Sequence, residues 1–198
     1  SDLEKGDSAS CPDAIFIFAR ATFEPGTLGI TTGPIVAHKL RESLNVWVQG
    51  VGGRYAASVG PNFLPEGTDS TSIDEALRLF NLANSKCPDT PVVAGGYRPY
   101  ADSLMSFTNS QGTAVMAGAL RRASSAVAEQ VKGVVLFGYT KNQQYGGVIP
   151  NFPPDKVAVY CGTFDAVCFG TLFILPDHVF YFDEAAHEAP AFLLGKIA

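Results

Sequence analysis

Two blocks near the middle of the chain carry most of its chemistry. Val92-Val93-Ala94-Gly95-Gly96-Tyr97 is an apolar run that reaches two glycines, and Ser110-Gln111-Gly112-Thr113-Ala114-Val115 reads as the start of a helix. Joined, they would spell Gly96-Tyr97-Ser110-Gln111-Gly112. That is the G-x-S-x-G pattern of a nucleophile elbow, a sharp strand-to-helix turn that lifts a serine hydroxyl clear of a sheet. Twelve residues, Arg98 to Asn109, stand between the halves. The chemistry indicated is acyl transfer. It needs a histidine to take the serine proton and a carboxylate to orient that histidine and stabilise its charged form.

In the sheet folds built around such an elbow the chain order is serine, acid, histidine. Three acids downstream of Ser110 are candidates. Asp165 falls in a loop just after a strand-like run, between Cys161 and Cys168. Asp177 is next to His178 in sequence and so is a poor orienting partner for it. Asp155 precedes that same strand-like run, at the end of a parallel sheet opposite to where catalytic groups gather. Asp165 is therefore selected. Of the three histidines, His38 lies upstream in a helix and His187 near the start of the last helix. His178 lies in a loop after Gly170-Thr171-Leu172-Phe173-Ile174-Leu175, and it completes the order Ser110, Asp165, His178.

The elements that must position these groups follow from periodicity. Fully apolar runs at Ala14–Ala19, Val46–Val51, Pro91–Gly95, Gly133–Gly138 and Val157–Cys161 predict five strands. Helices are predicted over Thr32–Leu44, Ser72–Cys87 and Ala189–Ile197, and Gln111–Gln130 is predicted to be mostly helix. Ser72 with Glu75 three residues on suggests a capping box at the start of the second of these, and Ile73, Ala76, Leu77, Phe80 and Ala83 fit its helical period. Short strands that are apolar throughout, alternating with helices, predict a parallel sheet covered on both faces. The Pro/Gly-rich stretch Tyr145–Asp155 is expected as a surface loop. Residues 1–10 are expected as an N-terminal tail and 11–198 as a single α/β domain.

Composition excludes several classes. With 198 residues, 46% hydrophobic and 17% charged, the chain is that of a folded globular protein with a sizeable core. A net charge of −5 without a dense basic cluster argues against nucleic-acid binding. No apolar run is long enough to cross a membrane. Four cysteines, none in a C-x-x-C pair, argue against a zinc ribbon or a thioredoxin-type site. Two disulfides in an oxidising compartment are expected, four buried thiols being the alternative. The N-terminal Ser1-Asp2-Leu3-Glu4-Lys5-Gly6 has no apolar signal core, so a secreted chain would stand here in its mature form.

Beyond these readings the chain resembles the fungal cutinases, in the α/β-hydrolase superfamily, from about Cys11 to Leu194. The marks are Phe18-Ala19-Arg20, Val48-Gln49-Gly50-Val51-Gly52-Gly53, Lys86-Cys87-Pro88-Asp89, Val135-Leu136-Phe137-Gly138-Tyr139-Thr140-Lys141-Asn142 and Asp165-Ala166-Val167-Cys168. The resemblance implies a three-layer sandwich around a five-stranded parallel sheet, without a lid. It implies a secreted serine esterase that hydrolyses cutin, a plant-surface polyester, and other carboxylic esters through an acyl-enzyme, with no metal or organic cofactor. A monomer is expected. Position by position, Ser110 matches the nucleophile, Asp165 the acid and His178 the base. Gln111 matches the residue after the nucleophile, whose backbone N–H enters the oxyanion hole. Thr22 falls where many members have a serine that supplies the second donor, and Asn62 supports that donor. Val59, Leu172, Ile174 and Val179 match the apolar lips of the substrate groove. The implied disulfides are Cys11 with Cys87 and Cys161 with Cys168.

In that family pattern the serine follows Tyr97 directly, so Arg98–Asn109 is an insertion at the elbow. Small residues two before and two after the serine let strand and helix approach. Gly112 still supplies the second, but Thr108 now stands at the first, where its β-branched side chain should crowd the turn. Pro99 should end the strand early. Three readings follow: a rebuilt elbow with reduced activity, a folded homologue with impaired catalysis, or a segment absent from the natural protein. The nearest enzymatic rival is an acetylxylan-type esterase. The rivals outside enzymes are an inactive surface-binding protein and a structural secreted protein.

Overall fold

Strand β1 (Ala14–Ala19) is apolar at every position because both of its faces are covered. Its side chains alternate: Ile15, Ile17 and Ala19 enter one core layer, while Ala14, Phe16 and Phe18 enter the other. The same alternation runs through β2 (Val46–Gly50), β3 (Val92–Tyr97), β4 (Val131–Phe137) and β5 (Val157–Tyr160). These five form one parallel sheet in the order β2-β1-β3-β4-β5. The structure is a computed structural model that describes residues 1–98, 111–162 and 181–198.

The first core layer lies beneath α3 (Ser70–Lys86), α4 (Gln111–Arg121) and α5 (Ser125–Gln130), which contribute Ile73, Phe80, Val115, Met116, Leu120 and Val127. The second lies beneath α2 (Thr32–Arg41), α7 (Phe182–Ala186) and α8 (Glu188–Ile197), which contribute Val36, Leu40, Ala185 and Leu193. Helices on both faces of a parallel sheet make the predicted three-layer α/β sandwich. The segment before Cys11 is docked on it. Leu3, in α1 (Asp2–Lys5), is fully buried, and Lys86 Nζ donates to the carbonyls of Leu3 and Gly6 at 2.7 and 2.9 Å. The predicted Cys11–Cys87 disulfide is present and ties the start of β1 to the end of α3.

Several local details differ from expectation. Helix α3 is capped by Asp69, whose carboxylate accepts the Ser72 N–H at 2.8 Å, and Ser72 sits inside the first turn. Glu75 does not reach back to a cap; both its oxygens accept from Arg78. The stretch Gln111–Gln130 is mostly helical as expected, divided in two where the Ser124 hydroxyl accepts from Val127 N–H and starts a second helix. Helix α2 stops at Arg41 rather than Leu44. The loop from Tyr145, which closes α6 (Asn142–Tyr145), to Asp155 is anchored by buried Ile149 and Phe152.

Candidate active site

The chain runs from β1 outward to β2, then crosses back to β3 on the other side of β1, and continues to β4 and β5. The reversal lies between β1 and β3. In an open parallel sheet such a switch point opens a crevice at the carboxyl ends of the strands. Thr22 follows the carboxyl end of β1, and the G-x-S-x-G halves straddle the carboxyl end of β3.

Thr22 is buried and sits in a tight turn. Glu24 N–H donates to Ala21 carbonyl at 3.2 Å, and Phe23 has φ +66°. With Thr22 outside the left-handed region, this is a type II turn with Thr22 at its second position. Phe23 N–H donates to Ala57 carbonyl at 3.0 Å. The Thr22 N–H has no acceptor among the described residues. Asn62 Nδ2 donates to Thr22 Oγ1 at 3.4 Å, which leaves the hydroxyl proton free to point elsewhere. Arg20 braces the turn: its Nε donates to Glu24 carbonyl at 2.8 Å and its Nη1 to Val51 carbonyl at 3.1 Å, with the guanidinium over the Tyr55 ring. Tyr55 hydroxyl donates to Arg20 carbonyl at 2.7 Å, and burial pushes its pKa well up.

On the β3 side the two glycines of the split motif meet. A methyl group on Gly96 would lie 2.6 Å from the Gly112 carbonyl oxygen; one on Gly112 would lie 2.4 Å from the carbonyl oxygens of Ala19 and Tyr97 and 2.6 Å from that of Arg20. Gly96 thus faces the Gly112 main chain across the strand–helix contact, and Gly112 faces the carbonyls of Ala19, Arg20 and Tyr97. Thr108, expected at that position, lies outside the described residues, as does Pro99. Arg98 directly follows the strand: its N–H donates to Phe137 carbonyl at 3.0 Å and its Nε to Gly138 carbonyl at 2.8 Å, and it is buried. Gln111 is the first residue of α4, so its N–H has no acceptor within the helix. Its side chain is fully buried, and Nε2 donates to Ser58 carbonyl at 2.5 Å. That bond joins α4 to the loop bearing half-buried Val59 and Asn62. Buried Tyr97 ends β3, and burial, helped by the Glu24 charge, pushes its pKa up to about 12.

Of the predicted site residues, Thr22, Asn62, Val59 and Gln111 are therefore gathered at the switch point. Ser110, Asp165 and His178 lie outside the described residues, together with Leu172, Ile174 and Val179. Cys161 is disulfide-bonded, and Cys168 lies outside the described residues. The other candidates weighed from sequence stand apart. His38 and His187 are exposed and pair along their own helices with Glu42 at 3.3 Å and Asp183 at 2.9 Å. Asp155 precedes β5 and faces Lys196 at 3.7 Å. Among the described residues no group of three or more His, Cys, Asp or Glu side chains is spaced to hold a metal ion. No described helix is long and apolar enough to cross a membrane. Sequence reasoning missed Glu24 and Phe23: a lone acid and a lone aromatic in a Pro/Gly loop leave no periodic trace.

The family model described as Cutinase matches residues 10–197. A cutinase of Colletotrichum truncatum is 53% identical over 201 residues, covering 100% of this chain and 83% of that protein. The solved structure of Trichoderma reesei cutinase in complex with a C11Y4 phosphonate inhibitor aligns with a TM-score of 0.76 at 31% identity, over 95% of this chain and 78% of that one. An iodinated acetyl xylan esterase aligns with a TM-score of 0.71 at 22% identity, over 96% of this chain and 100% of that one, a likeness of fold alone.

Proposed function

The chain belongs to the cutinase family, and on that premise we propose that it is a secreted serine esterase that hydrolyses cutin and other carboxylic esters through an acyl-enzyme. His178, oriented by Asp165, takes the proton of Ser110 as its oxygen attacks the ester carbonyl. The oxyanion accepts from the N–H groups of Thr22 and Gln111, donors of a kind worth roughly 3–4 kcal/mol each when one is removed. The alcohol leaves with the proton from His178, and water releases the acid by the same route. These steps call only on side chains and backbone N–H groups.

One observation carries this reading: buried Thr22 has an N–H without an acceptor among the described residues, beside the first turn of α4. Buried backbone donors are nearly always paired, so one left without a partner among the described residues, just past the carboxyl end of β1, suits an oxygen that becomes negative during reaction. Gly112 packs on the Arg20 carbonyl, which brings the start of α4 to the Thr22 turn. Phe23 and Phe63, beside Thr22 and Asn62, are about two-thirds exposed (68% and 67%), an apolar rim suited to water-insoluble esters. Disulfides at Cys11–Cys87 and at Cys161 support export to an oxidising compartment. The protein acts as a monomer.

A second reading, a folded homologue with impaired catalysis, is favoured by Arg98. It occupies the position directly after Tyr97, where the family pattern has the serine. Labelling with a fluorophosphonate, followed by intact mass and peptide mapping, decides between them. One adduct on Ser110 is expected; a folded chain that takes no label and turns over no p-nitrophenyl butyrate would transfer the protein to the second reading. Comparing p-nitrophenyl acetate with the butyrate tests the acetylxylan-type rival, which predicts a preference for acetate.

A further inference from the structure

Beside Arg20, a second side chain holds the Thr22 turn. Glu24 Oε2 accepts the Ala21 N–H at 2.8 Å. Its Oε1 accepts the N–H groups of Ile30 and Thr31 at 3.0 and 3.1 Å and the Thr31 hydroxyl at 2.6 Å. One carboxylate thus binds three backbone donors, one before the turn and two beyond the following loop. The space for it depends on Gly29, at φ +80°, where a methyl group would lie 2.5 Å from Glu24 Oε2. The turn needs such a brace. The third position of a type II turn favours glycine, and here it is Phe23, in a left-handed conformation that bulky residues avoid. Phe23 is mostly exposed, so burial does not offset the strain. Strained backbone persists where its surroundings over-determine it. The Glu24 carboxylate, with the Arg20 bond to the Glu24 carbonyl, supplies that determination.

We propose that Glu24 is a positioning residue of the oxyanion site: by binding backbone N–H groups on both sides of the Ala21–Glu24 turn, its carboxylate fixes the direction of the Thr22 N–H. This rests on the reading of Thr22 as an oxyanion donor. A glutamine cannot substitute, because one of its two head atoms is itself a donor and would face the N–H groups that Glu24 accepts. The position of the Thr22 donor then relaxes while the substrate groove stays in place.

The test is a kinetic cycle with p-nitrophenyl butyrate. Proline suits the second position of a type II turn and lacks the N–H, so Thr22→Pro removes the donor. It should lower kcat about 10²-fold or more with KM little changed. Glu24→Gln should lower kcat about 10-fold or more, since about 1 Å of misplacement costs on the order of 10²-fold, again with KM little changed. In the Thr22→Pro background Glu24→Gln should add nothing to the loss in kcat, because both act through the same donor. A Glu24→Gln enzyme with the parent kcat, beside an impaired Thr22→Pro enzyme, overturns the proposal and spares the oxyanion reading. So does a loss that multiplies in the double variant. A Thr22→Pro enzyme with the parent kcat, or a parent without turnover, overturns that reading and the proposal with it. If Glu24→Gln does not fold, Thr31→Val removes one of the four donors; a lower kcat at constant KM is expected, and an unchanged kcat overturns the proposal.

Discussion

Gly96 and Gly112 are in backbone contact, so close that a methyl group on either would fall within 2.6 Å of a carbonyl oxygen. Arg98 to Asn109 separate them in sequence, yet strand β3 and helix α4 approach each other as an elbow requires. The contact explains why both positions are glycine: the neighbours are main-chain atoms, which cannot turn aside as a side chain can.

Gly112→Ala should therefore be costly. Its methyl would meet the carbonyls of Ala19, Tyr97 and Arg20 together, so α4 must shift away from the sheet. Overpacking of this kind costs about 1–3 kcal/mol, which in a domain of this size lowers Tm by roughly 2–4 °C per kcal/mol. Thermal unfolding measures the first effect and fluorophosphonate labelling the second. An alanine variant with the parent Tm and labelling rate would show that the contact is loose.

Removing Arg98 to Asn109 should leave Tyr97 joined to Ser110 across a seam whose flanks already meet. Esterase turnover of the deletion is expected to exceed that of the parent, and equal turnover overturns this expectation. The deletion also discards the buried Arg98, whose bonds to the Phe137 and Gly138 carbonyls the serine main chain would have to replace in part. Turnover of p-nitrophenyl butyrate below the parent level would mean that the twelve residues contribute to the site.

The Cys11–Cys87 disulfide closes a loop with a sequence separation of 76. Replacing both cysteines by alanine should lower unfolding free energy by about 4 kcal/mol on the chain-entropy estimate. Urea unfolding of the parent and the double variant gives the difference directly, and a difference near zero would place the stabilisation elsewhere.

Much of this architecture was legible because it rests on period and burial. The apolar runs from Ala14, Val46, Val92, Gly133 and Val157 could only be strands covered on both faces, and the gathering of Thr22 and Gln111 follows from strand order once those runs pair. What was not legible depends on single hydrogen bonds. Asp69 and Ser72 are both good caps, and only the Ser72 N–H pointing at Asp69 decides the start of α3. Ser124 ends an alanine-rich stretch that propensity alone would keep helical. Glu24 works through backbone donors at Ala21, Ile30 and Thr31, which no residue pattern records.

Acid should weaken the tie between α4 and the loop that follows Asn62. Burial opposes ionisation of Glu66, but Arg121 at 2.7 Å and Arg122 at 3.3 Å outweigh it and hold the pKa below its ordinary 4.5. A depressed carboxylate pKa adds stability that is full above 4.5 and is lost as pH falls through the lower folded value. The pair is partly exposed, so the contribution is screened to within about 1 kcal/mol. Glu66→Gln should lower stability slightly at pH 7 and flatten its fall below pH 4.5. Equal pH slopes in parent and variant would remove Glu66 from the acid response.

Asn62 offers the sharpest test of the second half of the oxyanion site. Its Nδ2 donates to Thr22 Oγ1, while its Oδ1 is buried without a partner among the described residues. Burying an unpaired acceptor has a free-energy cost, so packing alone does not account for an amide here. By donating to the hydroxyl oxygen, Asn62 leaves the Thr22 hydroxyl proton free for another acceptor, which on the proposed mechanism is the same oxyanion that the N–H meets. Asn62→Leu keeps the volume and removes the donor. It should leave Tm level or slightly raised, since an unpaired buried acceptor disappears, and it should lower kcat about 5-fold at constant KM if one net hydrogen bond of about 1 kcal/mol is lost from the transition state. Thr22→Val, which removes the hydroxyl and keeps the N–H, should match it, and the two together should be no worse than either. A normal kcat in Asn62→Leu would confine the oxyanion contacts to the two backbone N–H groups.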